Sequence, residues 1–263
     1  MKTVNLLPTL IFISLFSFNS IKSQNLNLEK DLEYAYKNKS NESLEKIFNE
    51  WNKSLSAYYI NDNYPNEEIK SVHEVYGEFY KPYDLLKLGD WEWGNQLNSN
   101  SKYVLIQNRI DFRIYDSDNL EKIDEDEETI SFKKDSIIDF RPKLNIENSK
   151  TLYLLPKYRK ELVNFLGTQS TKFGKTNIMS VSRPKKQSAK RYGFIRPYLP
   201  ILHGHWGRYW EIETSPEVFN IIFSKNLTEA KIFFAVGYQG GETTLIKKND
   251  KWIIKESKAT WIE

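Results

Sequence analysis

Residues 202–213 read LHGHWGRYWEIE, with His203 and His205 two positions apart. On a strand that spacing turns both imidazoles to one face, which suits two ligands of a single metal ion. A catalytic zinc takes three protein ligands and keeps a fourth position open. No histidine follows His205, and the only other one, His73, lies far upstream on the apolar stripe of a helix. Glu211, Glu213 or His73 would have to complete the set, and no spacing brings them to it. The expectation is therefore no metal and no cofactor, with His203 and His205 hydrogen-bonding at a bend made by Gly204 and Gly207.

The run HGHWG also resembles the zinc strand of α-type carbonic anhydrases. That resemblance implies a third histidine on a neighbouring downstream strand, which this chain lacks.

Glu242 follows Gly240-Gly241. Turned into the hollow of a bent sheet, it would be buried, its pKa would rise, and with His205, Tyr209 or Tyr238 nearby it would make an acid–base pair. The ordinary alternative is a rim carboxylate paired with Lys247 or Arg208. Asp111, between Arg109 and Arg113, reads as a charged cross-strand ladder rather than a catalytic group.

The third chemical feature is charge. Between Leu162 and Trp210 there is no Asp or Glu, while SRPKKQSAKR at 182–191 supplies Lys185, Lys186, Lys190 and Arg191. Such groups capture carboxylate, sulfate or phosphate by charge, and arginine also by its fork. Acidic glycan, lipid phosphate or an acidic partner protein would suit them. The compensating acids gather in EKIDEDEE, residues 121–128, which reads as a solvated loop. No nucleic-acid module accompanies the basic run, and there is no phosphate loop, GxSxG, HExxH or calcium loop. Seven Trp, 16 Tyr and 15 Phe leave rings to spare for a binding wall, since flat rings with a polar edge suit sugars and other amphipathic ligands. The candidate ligand-binding set is His203, His205, Trp206, Arg208, Tyr209, Trp210, Tyr238 and Glu242 with the four basic residues. Of these, Glu242, His205 and Tyr238 are the catalytic candidates.

The elements that must position these groups begin after a leader. Residues 1–23 carry Lys2, an apolar stretch from Val4 to Phe18, then small residues near Ser20 and Ser23. This pattern predicts a cleaved secretory signal, too short and broken to span a bilayer, and hence a secreted or periplasmic envelope protein. The alternative is an uncut N-terminal anchor. With no cysteine, the chain has no disulfide or thiol chemistry and must be held by its core. Loss of Lys2 and Lys22 takes the formal charge of +3 close to neutrality, so bulk charge points to neither nucleic acid nor membrane surface. Residues 24–263 are long enough for one α+β domain.

A helical front is expected over 28–86. Leu28, Leu32, Ala35 and Tyr36 share one side of a first helix. Ser40 caps a second that carries Leu44, Ile47, Phe48, Trp51, Leu55 and Tyr58. A third carries Ile69, Val72, His73, Tyr76, Phe79 and Tyr80. Central strands and a helix occupy 103–167: a single half-buried antiparallel strand from Tyr103 to Tyr115, weaker strands at 129–133, 136–140 and 151–155, and a helix from Pro156 stopped by Gly167. Residues 168–196 read as a long basic loop. A β-meander fills 208–263, with strands at 208–213, 218–223, 230–238, 242–248 and 252–256, a bulged or tight bend at Gly240-Gly241, and a docked terminus.

The stretch AKIFFAVGYQGGETTLIKKNDKWII with the terminal TWIE resembles the NTF2-like (SnoaL and ketosteroid isomerase-like) pattern. That resemblance implies N-terminal helices packed on a strongly curved antiparallel sheet, wrapped as a cone around a pocket. Some hundred residues between helices and meander depart from it. The whole chain also resembles secreted proteins of gliding-type bacteria, a likeness that implies no activity. Three readings remain open: a non-enzymatic pocket protein for a small or anionic ligand such as a glycan or lipid; an isomerase, lyase or hydrolase on the same scaffold; or an envelope module whose basic loop docks a partner protein.

Overall fold

The first three helices form where sequence supplies both an apolar stripe and a cap. The computed structural model describes residues 26–55, 57, 63–80, 102–121, 130–144, 146, 149–167, 186–199, 201–203, 210–212, 216–236 and 239–262. Helix α1 spans Leu28–Lys37, α2 Asn41–Ser54 and α3 Glu67–Phe79. Side-chain oxygens of Asn27, Ser40 and Asn66 accept from the backbone N–H groups of Lys30, Ser43 and Ile69. Each such cap is worth about 1 kcal/mol.

The region expected to hold one strand from Tyr103 to Tyr115 holds two. Strand β1, Tyr103–Gln107, pairs in parallel with β4, Lys150–Leu154. Strand β2, Arg109–Tyr115, belongs to a different sheet, where it pairs antiparallel with β3, Phe132–Ile138. The break is at Asn108, whose carbonyl accepts from Phe140 N–H at 2.8 Å while its side-chain amide donates to Asp139 Oδ1 at 2.9 Å. The two weaker strands expected at 129–133 and 136–140 are the single strand β3.

The β1–β4 ribbon is buried on both faces, as parallel strands usually are. Tyr103, Leu105, Leu152 and Leu154 enter one core with Leu28, Leu32, Phe48 and Trp51. Val104, Ile106 and Tyr153 enter a second core with Val72, Tyr76 and Phe79. The helical front is therefore not one layer: α1 and α2 serve the first core and α3 the second. Along β4, Trp51 Nε1 donates to Tyr153 O and Asn52 Nδ2 to Thr151 O, so α2 side chains satisfy carbonyls of this short strand.

Helix α4, Pro156–Leu166, starts on proline and stops at Gly167, whose φ of 67° is left-handed. Residues 186–195, expected within the basic loop, instead form helix α5, Lys186–Ile195. Ser188, Tyr192 and Ile195 are its buried side, which packs on α4 and the first core. The packing outweighs the poor periodicity and the glycine at 193.

The second core lies under a six-stranded sheet in the order β10-β9-β8-β7-β2-β3. Its later strands are β7, Glu217–Phe223; β8, Glu229–Val236; β9, Gln239–Lys248; and β10, Lys251–Ile262. Every pairing is antiparallel except β2 with β7. A two-strand ladder joins β5, Leu202–His203, to β6, Trp210–Glu211. Asn249 and Asp250 both take positive φ in the β9–β10 turn, the geometry of a tight hairpin. Three meander expectations change. The stretch expected as its first strand is seen as β6, which pairs with β5 outside the six-stranded sheet. Gly240-Gly241 lie inside β9 rather than between two strands, opposite the register shift between Ala259 and Trp261 of β10. Strand β10 runs on past Glu256 to Ile262.

Candidate binding site

Register assigns each meander residue to a face. Ala230, Ile232, Phe234 and Val236 of β8 face the second core, beneath α3. Their β9 partners Leu245, Thr243, Gly241 and Gln239 share that inner face. Through β10 it continues with Trp252, Ile254, Ser257 and Ala259.

The inner face has two unlike halves. Beneath α3 it is filled with rings: Phe79 meets Phe234 at 4.7 Å between centroids, Phe223 meets Trp252 at 6.0 Å, and Tyr76 meets Phe140 at 4.8 Å. Toward Val236 and Gln239 the side chains become small and polar. Thr243 and Ser257 share a hydrogen bond at 2.7 Å. Gly241 adds no side chain, and Gln239, only 6% exposed, leaves its Oε1 buried without a partner among the described residues. A buried, unsatisfied acceptor costs about 1–3 kcal/mol and calls for a reason to be kept. Tyr80 stands at the C-terminal end of α3, where its hydroxyl donates to Pro216 O at 2.7 Å and burial holds its pKa well above the usual phenol value.

Glu242 lies on the opposite, outer face. It stands opposite Phe233 on β8 and Lys258 on β10, and its carboxylate meets the Lys258 ammonium at 2.8 Å. The inward projection that acid–base chemistry would need is not seen, and the carboxylate pairs with Lys258 rather than with Lys247; Arg208 lies outside the described residues. Lys247 pairs with Glu67 at 3.2 Å, a contact that lowers the Glu67 pKa.

Arg191 does not stand free in a loop. Its guanidinium pairs with Glu33 of α1 at 2.7 Å and donates to Phe165 O at the end of α4. The Tyr36 and Phe165 rings lie 5.6 and 5.2 Å from it. Lys190 is exposed on α5, and Lys186 is that helix's first residue. His203 stands opposite Trp210, and Leu202 opposite Glu211, in the β5–β6 ladder. Lys185, His205, Trp206, Arg208, Tyr209, Glu213 and Tyr238 lie outside the described residues.

His73, the other imidazole weighed for a metal, is 5% exposed between the rings of Tyr64 and Phe140. Among the described residues no group of three or more acidic or histidine side chains is placed to hold a metal ion, and no helix is long and apolar enough to cross a membrane.

Sequence reasoning missed Gln239, Thr243 and Ser257. Their signal was present in the alternation of Gln239, Gly241 and Thr243 on one parity of QGGETT. Compared with known proteins, the chain matches no family model, no curated protein and no solved structure.

Proposed function

We propose that this is a non-enzymatic binding protein of the cell exterior or envelope, whose ligand lies over the small, polar half of the inner sheet face. The observation that carries the reading is Gln239 Oε1, buried and without a partner among the described residues, on the same face of β9 as Gly241 and the Thr243–Ser257 hydroxyls. Binding sites are typically apolar concavities with a few convergent polar groups, and the ring-filled half under α3 supplies the apolar wall. Gln239, Gly241 and Thr243 and their partners Ser257 and Ala259 are all uncharged. The favoured ligand is thus small, uncharged and amphipathic, with a hydroxyl or N–H to meet the glutamine.

The NTF2-like likeness belongs to the same proposal. It is supported by α3 lying on the meander and by register shifts in β7 and β10, because bulges bend and twist sheets. The parallel β2–β7 step departs from it. The catalytic alternative loses its main support with Glu242 on the outer face. Secretion after cleavage near Ser23 is part of the proposal.

Thermal unfolding with 1-decanol, 1-naphthol, decanoate and decylamine tests it. A ligand at 100 times its Kd adds about 2.7 kcal/mol to the folded state, so one of the neutral probes raises the Tm. Gly241→Val, which fills the floor with a strand-compatible side chain, removes that shift. No shift with any probe, or a shift that persists in the filled variant, overturns the reading.

A further inference from the structure

The outer face of the same sheet holds an aromatic residue that neither core uses. Trp261 is 43% exposed and stands opposite Gly240 in the β9–β10 register. A Cβ at Gly240 would run into Trp261 Cε2, Cζ2 and Nε1, three contiguous ring atoms, so the indole lies across the glycine. The register shift between Ala259 and Trp261 puts the ring there, as bulges re-aim side chains. The next pair on this face is Glu242 with Lys258, two residues along β9, or about 7 Å away. Their ion pair is 2.8 Å long, with the carboxylate mostly buried and the ammonium exposed.

We propose that Trp261, Glu242 and Lys258 form a platform for a neutral pyranose unit of a glycan. One face of a pyranose is a patch of C–H groups that rides on an indole, while its rim carries hydroxyls. Those hydroxyls donate to the Glu242 carboxylate and accept from the Lys258 ammonium, and such charge-assisted bonds are the strong ones. Because Gly240 already seats the indole, binding has little side-chain freedom left to remove. The charges of the pair cancel, so the platform has no net pull on acidic sugars.

The other exposed apolar residues among those described lack this combination. Phe132 carries the Arg113 guanidinium over its ring at 4.8 Å, and Ile138, 77% exposed, has no flat face. Trp261 alone among the large exposed side chains of the described residues has both a glycine seat and a paired acid and base beside it.

The test is isothermal titration calorimetry of the whole protein with maltohexaose, cellohexaose and laminarihexaose, and with oligogalacturonate as the acidic counterpart. At least one neutral hexaose binds. Trp261→Ala lowers that affinity about tenfold or more, a loss of roughly one hot-spot contact, and Lys258→Gln and Glu242→Gln each lower it several-fold. Trp261→Phe keeps a ring over Gly240 and retains part of the affinity, which separates loss of the platform from loss of the strand. Absence of binding to all three neutral hexaoses overturns the proposal, as does unchanged affinity in Trp261→Ala or preference for the acidic oligomer. Because this face is opposite the Gln239 floor, decanol or naphthol stabilisation is unaffected by these variants.

Discussion

Arg191 and Glu33 meet at 2.7 Å where α1, α4 and α5 converge. The same guanidinium closes the C-terminal end of α4 through Phe165 O and lies against two rings, so one side chain joins three helices. Cations favour helix C-termini for the same electrostatic reason. A residue with the sequence context of an anion receptor is thus spent on the fold.

Replacing Arg191 by Ala should cost about 2 kcal/mol, below the loss for a fully buried pair because both partners keep some exposure. Arg191→Lys should recover only part of it, since an ammonium lacks the fork that reaches Glu33 and Phe165 together. Lys190→Ser, one residue away on the exposed side, should stay within about 0.5 kcal/mol. Urea midpoints at a common slope measure all three, and equal losses at 190 and 191 would contradict the assignment.

His73 predicts an acid-side weakness. Burial between Tyr64 and Phe140 pulls its pKa down to about 4 from the ordinary 6.5. Between those values the unfolded chain binds a proton that the folded chain refuses. Stability is therefore full above about pH 6.5 and falls as pH drops toward 4, by about 3 kcal/mol over the whole interval. His73→Phe should show a correspondingly shallower decline between pH 7 and 4.5 in urea unfolding. Parallel curves for the two proteins would exclude the imidazole as the cause.

Gly240→Ala should destabilise by about 1–3 kcal/mol, the usual cost of forcing volume into a filled site. Trp261→Ala opens that space, so the double variant should lose clearly less than the sum of the single changes. A coupling above about 0.5 kcal/mol in the mutant cycle marks direct contact. Simple additivity would place the ring elsewhere.

Gly167→Ala should cost about 1 kcal/mol, because its φ of 67° is left-handed and Ser188 Oγ would stand 3.2 Å from the new methyl group. Gly193→Ala, inside α5 with open space around it, should instead hold stability or raise it slightly. Thermal denaturation of the pair gives the contrast, and the same sign at both positions would argue against it.

Local signals carried much of the fold. Ser40 as a cap, Pro156 and Gly167 as the ends of a helix, and the Asn249-Asp250 turn are all chemistry of neighbouring residues, readable without knowing what packs where. What failed depended on distant partners. Tyr103, Val104, Leu105 and Ile106 are all apolar, which is how a strand buried on both faces reads, yet the alternation resuming after Asn108 masked the change of sheet. Helix α5 was hidden because Ser188, Tyr192 and Ile195 make a thin stripe among lysines and glycine. For Glu242 the side of the sheet turns on strand register, and one residue of slip inverts every side chain. The candidate floor was less legible still, since Ser257 joins Thr243 only across a bulged pair.

The β1–β4 ribbon gives successive residues to different interiors: Tyr103 to one, Val104 to the other, Leu105 back again. It is a party wall, and neither room can be emptied without stripping every second stud from it. Heat or denaturant should therefore take down the helical half and the sheet half together, with tryptophan emission from Trp51 and Trp252 reporting one shared collapse.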